Sequence, residues 1–187
     1  MANRRRISPL ALVRLFLVLV GVLSLLASAV TAQEEEGGVE RVIVLPTNGV
    51  VDQIMAEYLR SGIARAEDEG ALAVVIELDT PGGSLESTRE IVQSELSAEV
   101  PVMVWVGPAG ARAASAGTFL TLAAHVASMA PATNLGAATP ISSDGQDIPE
   151  DLGEKVMNDT IATITSIAEE RGRPVDWAVS TVTDALS

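Results

Sequence analysis

The chain has 187 residues, 48% of them apolar, and a formal charge of −13, which suits one domain of ordinary size with an ample core. It has no cysteine and a single histidine, His125. That excludes disulfides, thiolate metal sites and a His-rich metal centre, so neither a metal nor another cofactor is expected. The acidity argues against nucleic acid or an anionic membrane surface as a partner.

Arg4-Arg5-Arg6 and Arg14 precede an apolar run from Leu15 to Leu23 that continues through Ser24 to Ala29. Val30-Thr31-Ala32 then supplies small residues where a signal peptidase reads. Basic start, apolar middle and small-residue exit describe a secretory signal peptide over residues 1–32. A retained N-terminal anchor is the alternative, the run being a little short for a span. In both cases the sequence after Gln33 is expected on the extracytoplasmic side. Removing residues 1–32 takes away four arginines and no acid, leaving 8 basic against 25 acidic residues and a charge of −17. Residues 33–40, QEEEGGVE, are a polar linker.

The segment 41–46 is a short β-branched run and predicts a buried strand. From Val51 to Glu69, Ile54, Tyr58, Leu59 and Ile63 recur at helical spacing, and Gly70 stops the pattern. Residues 72–78 predict a second strand, ended by Pro81-Gly82-Gly83. A helix over 85–96 and a third strand over 100–106 follow. Ser115 to Val126 predicts a helix, Ala127 to Ala130 a short apolar segment, Ser142 to Glu150 a polar loop, and 151–170 a long helix. Alternation of this kind builds right-handed β-α-β units around a parallel sheet, an α/β fold. The strands are apolar almost throughout, as expected if both faces of the sheet are covered. Functional loops of such sheets follow the strand C-termini, here Asp79 to Ser84 and Gly107 to Ala114. Trp177 to Ser187 is amphipathic with no closing strand, so the region from residue 41 reads as a domain truncated at its C-terminus.

Lys155 is the only lysine, against eleven arginines. Arginine keeps its proton at any working pH, whereas a desolvated lysine can act as a general base. Ser115 lies in Arg112-Ala113-Ala114-Ser115-Ala116-Gly117-Thr118, whose small residues leave a hydroxyl uncrowded, and a neutral amine nearby would activate it as a nucleophile. The competing reading is an ordinary surface lysine in an arginine-biased chain, ion-paired at i,i+4 with Asp159 for a few tenths of a kcal/mol. Asp151-x-x-Glu154 resembles a capping box with Asp151 as the cap. The helix start disfavours a charged ammonium, while Asp151, Glu154 and Asp159 favour one.

The paired glycines Gly82 and Gly83 let backbone N–H groups face a cleft without obstruction, as an oxyanion hole requires; the competing reading is a tight turn. The N–H of Ala116, at a helix start, offers a second donor. His125 lies ten residues after Ser115 on the same predicted helix, ~15 Å along its axis, too far for a Ser-His pair.

Leu78-Asp79-Thr80-Pro81-Gly82-Gly83, the Ala111–Thr118 segment, Met129-Ala130-Pro131, Leu135-Gly136-Ala137-Ala138-Thr139-Pro140 and Lys155 together resemble the NfeD family, membrane-bound ClpP-class serine proteases. The resemblance runs from about Val39 to Leu186. It implies a ClpP/crotonase-like fold and a Ser-Lys dyad, with Ser115 as nucleophile and Lys155 as general base. It also implies Gly83 and Ala116 as backbone oxyanion donors and Gly82 at the substrate cleft. The implied substrate is a stomatin/prohibitin-type membrane protein cleaved in an apolar segment. A homo-oligomer is expected, as is membrane attachment through the N-terminal segment and transmembrane helices beyond this region. Alternatives are a signal-peptide-peptidase-like protease with the same dyad and a catalytically silent scaffold for a stomatin-type partner. A crotonase-type acyl-CoA enzyme is disfavoured by export.

Overall fold

The computed structural model describes residues 14, 16–20, 41–141 and 150–187. The chain divides into two compact units, Met1–Val39 and Glu40–Ser187. In the first, Arg14 and residues 16–20 are helical, and Phe16, Leu17, Val18 and Leu19 are exposed. The remainder of the expected signal peptide and the linker 33–40 lie outside the described residues. No helix among the described residues is long and apolar enough to cross a membrane.

The second unit holds a four-stranded parallel sheet. Strands β1 (Val42–Asn48), β2 (Ala73–Asp79), β3 (Val102–Val106) and β5 (Val126–Met129) lie side by side in that order. Helix α1 (Gln53–Asp68) connects β1 to β2, and α2 (Leu85–Ser97) connects β2 to β3. Each helix starts where the sequence supplies a cap. The Asp52 side chain accepts from the Met55 N–H, and the Ser84 hydroxyl from the Ser87 N–H, satisfying amides that have no partner within the helix. A second, two-stranded parallel sheet pairs β4 (Arg112–Ala114) with β6 (Asn134–Gly136). Helix α3 (Ala116–Ala123) follows β4 directly; α4 (Glu150–Glu170) and α5 (Val175–Thr183) complete the unit.

The core forms where one set of strand side chains meets the helices. Ile43, Leu45, Val74, Ile76, Leu78, Val102, Val104 and Val106 are buried, together with Leu59 and Ile63 of α1, Ile91 of α2, Leu120 of α3 and Ile164 of α4. The expectation of a sheet covered on both faces is corrected by the structure. Burial alternates strictly along β1 and β2, and Val42 and Val44 are 49% and 52% exposed. Val75, Met103 and Trp105 share that less buried face through the strand register.

Three further expectations change. The helix expected over 115–126 ends at Ala123, and residues 127–130 belong largely to strand β5. The presumed loop 107–114 contains β4, too short at three residues to show a pattern. Asp151 lies inside α4, which begins at Glu150, so it is not the cap. The expected polar loop before α4 lies outside the described residues, apart from Glu150 at the helix start.

Candidate active site

Two loops leave the C-terminal edge of the main sheet and are tied together by backbone hydrogen bonds. The Thr80 N–H donates to the Arg112 carbonyl (2.7 Å) and the Ala114 N–H to the Thr80 carbonyl (3.1 Å). The first loop carries Pro81-Gly82-Gly83 into α2, and the second carries Ser115 into α3. Sheet edge, glycine loop and nucleophile loop thus converge at the position where α/β sheets place their sites.

Ser115 stands at the turn between β4 and α3 with φ 52° and ψ −113°. A positive φ on a non-glycine residue costs about 1–3 kcal/mol and persists only where its surroundings enforce it. Here the Ser115 N–H donates to the Gly136 carbonyl (3.0 Å), and the Thr118 hydroxyl donates to the same oxygen (3.0 Å). Although Ser115 occupies the N-cap position, its hydroxyl makes no capping hydrogen bond. The strained strand-turn-helix geometry therefore presents a hydroxyl that local structure does not consume, as in a nucleophile elbow.

The two glycines differ in role. Gly82 (φ 110°) packs directly on Ser115, and its N–H donates to the buried Thr80 hydroxyl at 3.0 Å. Gly83 sits against Val51: the Val51 N–H donates to the Gly82 carbonyl and the Ser84 N–H to the Val51 carbonyl, both at 2.9 Å. A side chain at Gly83 would overlap the Val51 backbone, its Cβ falling 2.0 Å from the Val51 oxygen. Among the described residues, the N–H groups of Gly83 and Ala116 donate to no acceptor. Both residues line a cavity of about 60 Å³ that includes Ser115.

Leu85, Thr88, Phe119, Ala138, Pro140 and Ile141 supply the rest of that lining. These wall residues were not anticipated from sequence, although the spacing held a signal. Phe119 is four residues after Ser115, one helical turn along the same face, and Leu85 and Thr88 share a face three residues apart. Thr80 was also missed; its side chain is fully buried beneath the glycine loop.

Lys155 stands apart from this arrangement. It is exposed on the first turns of α4 and does not line the Ser115 cavity, and its side chain makes no hydrogen bond or ion pair with the described residues. The Lys155–Asp159 ion pair of the competing reading is not formed: Asp159 pairs with Arg89 of α2 instead. His125 follows the end of α3 at the opposite, N-terminal edge of the sheet. Its backbone N–H donates to the Val102 carbonyl (2.9 Å), and its Nδ1 accepts from the Val102 N–H (3.1 Å). Burial and the nearby Arg171 guanidinium hold its pKa below the ordinary histidine value.

A parallel sheet flanked by helices, with a strained serine facing a glycine loop, is the architecture of the ClpP-like fold. ClpP1 of Listeria monocytogenes shares that fold at TM-score 0.56 and 18% identity, over 74% of this chain and 77% of that one. The chain belongs to the NfeD family: the model described as "NfeD1b, N-terminal domain" matches residues 41–186.

Among curated relatives, the membrane-bound protease PH1510 of Pyrococcus horikoshii is 39% identical over 149 residues, covering 78% of this chain and 33% of the relative. Membrane protein NfeD1b of Bacillus subtilis is 30% identical over 159 residues, covering 85% and 34%. The chain thus spans about a third of the length of the curated relatives it matches. Two solved structures of 1510-N, a membrane-bound stomatin-specific protease, superpose at TM-score 0.71. One carries a serine-to-alanine substitution (37% identity, 78% of this chain and 70% of that one). The other carries a lysine-to-alanine substitution and a substrate peptide (35% identity, 79% and 68%).

Proposed function

We propose that this domain is a serine endopeptidase. Ser115 is its nucleophile, Lys155 its general base, the N–H groups of Gly83 and Ala116 its oxyanion hole, and Gly82 part of the substrate cleft. The observation that carries the reading is the strained Ser115, its hydroxyl uncapped, in one cavity with two amides that have no acceptor among the described residues. The 1510-N relatives, altered at a serine and at a lysine, support the dyad.

In this reading the Ser115 Oγ attacks the scissile carbonyl carbon as its proton passes to the Lys155 Nζ. The Gly83 and Ala116 amides receive the negative oxygen, assisted by the positive end of α3; one such donor is worth roughly 10²–10³ in rate. Collapse of the tetrahedral adduct expels the amine, which takes the proton from Lys155. Water then cleaves the acyl-enzyme by the same steps, with Lys155 again as base.

Because Lys155 is exposed here, the reaction requires the start of α4 to come over the cavity and bring the amine within hydrogen-bond reach of Oγ. The substrate is an apolar segment of a membrane-associated protein of stomatin type, a class consistent with the Leu85, Phe119, Pro140 and Ile141 walls and with the stomatin specificity of 1510-N. The domain works on the extracytoplasmic side, attached to the membrane in the full-length protein and assembled as a homo-oligomer.

The placement of Lys155 outside the cavity favours a second reading, a catalytically silent domain that binds the same kind of partner. Labelling with a fluorophosphonate probe separates the two. The protease reading expects covalent modification of Ser115, abolished in Ser115→Ala. Absence of any Ser115-dependent labelling, together with intact binding of an apolar peptide, establishes the silent reading.

A further inference from the structure

Two arginines that the reaction leaves unused stand at the turn after α4, and each reaches the end of a helix that begins in the active site. The Arg171 Nε donates to the Ala123 carbonyl at 2.6 Å, and its Nη2 to the Glu95 backbone carbonyl at 3.0 Å. The Arg173 Nη2 donates to the Ala124 carbonyl at 3.1 Å. Ala123 and Ala124 close α3, and Glu95 lies in the last turn of α2. These are carbonyls that a helix cannot satisfy within itself, and a guanidinium there also complements the negative end of the helix dipole.

The other ends of the same helices form the oxyanion hole. α2 begins two residues after Gly83, and α3 begins at Ala116. We propose that Arg171 and Arg173 are positioning residues: a guanidinium clamp that sets the separation of the Gly83 and Ala116 amides from the far ends of α2 and α3, and ties both helices to α4, the helix of Lys155. The proposal rests on the serine-protease reading and extends it to groups that touch no substrate.

Lever and tolerance support it. With 13 and 8 residues, the two helices are ~20 and ~12 Å long. A tilt released at one end of so short a rod therefore reaches the other end at comparable size. A misplacement of ~1 Å at a reacting centre costs roughly a hundredfold in rate. The clamp is also built for arginine. At position 171 a rigid planar fork holds two donors at the spacing that meets the Ala123 and Glu95 carbonyls, whereas a lysine ammonium is a flexible point donor without that preset geometry.

The test uses Arg171→Lys and Arg173→Lys, which retain the charge. Two quantities are read: the rate of Ser115 labelling by a fluorophosphonate, normalised to folded protein, and amide hydrogen exchange over 82–84 and 115–117. The clamp predicts labelling at least tenfold slower with an unchanged far-ultraviolet circular dichroism spectrum, and faster exchange in both distant segments. Wild-type labelling rates, or faster exchange confined to the neighbourhood of residues 95, 123–124 and 171–173, would overturn it. Failure of both lysine variants to fold would assign the arginines to stability alone and overturn it equally. If the wild-type protein itself does not label, the protease reading fails, and the exchange data still decide whether the clamp controls the two loops.

Discussion

Gly82 and Ser115 are in such close contact that a Cβ on Gly82 would lie 2.7 Å from the Ser115 Cβ and 3.2 Å from its Oγ. The backbone at Gly82 also has φ 110°, which an L side chain resists. Gly82→Ala is therefore expected to displace the nucleophile and slow Ser115 labelling at least ~10²-fold, with a stability loss of roughly 1–3 kcal/mol. Labelling kinetics and a thermal melt check this, and an alanine variant that labels normally would refute the geometry.

Lys155→Arg distinguishes a base from a surface charge. A guanidinium keeps its proton, so both Lys155→Arg and Lys155→Ala should lose peptide cleavage while remaining folded. Stability should change by less than ~1 kcal/mol, since the residue is exposed and makes no ion pair with the described residues. Near wild-type turnover by the arginine variant would end the dyad assignment.

His125→Ala removes only the acceptor for the Val102 amide. Its expected cost is about 1 kcal/mol in stability, with Ser115 labelling unchanged because the imidazole lies at the other edge of the sheet. A loss of labelling as deep as that of Ser115→Ala would contradict the fold.

Glu95 makes stability depend on pH. Burial pushes its carboxyl well above the usual carboxylate range, opposed only by the Arg171 guanidinium. Its raised folded-state pKa means that the folded chain keeps a proton the unfolded chain releases above its ordinary value of ~4.3. The associated stability is complete below that value and is lost as pH rises towards the folded pKa. Glu95→Gln keeps the shape and removes the titration. Relative to wild type, the glutamine variant should gain thermal stability between pH 5 and pH 8; a constant difference across that range would refute a buried, protonated Glu95.

The main sheet was legible because its information is local: β-branched runs at 41–46, 72–78 and 100–106, separated by helical spacing from Val51 to Glu69 and over 85–96. The glycine loop and Ser115 were legible because small residues immediately after strands have few other uses. β4 and β6 were not, since three-residue strands carry no periodicity and depend on each other for pairing. The relation of Lys155 to Ser115 was also out of reach, because it depends on how α4 packs rather than on its own sequence. Arg171 and Arg173 gave no signal at all: their partners are backbone carbonyls, which every residue has.

The half-covered face of the main sheet carries one of the chain's two tryptophans. Trp105 sits there beside Glu77 in register, while Trp177 is in α5. Its indole is thus an intrinsic fluorophore in a half-wet setting, sensitive to whatever comes to rest on that face. A blue-shifted emission and reduced quenching by acrylamide on adding detergent, or on raising protein concentration, would register the covering of this face without any label. Trp177→Phe would leave Trp105 as the only source of that optical signal.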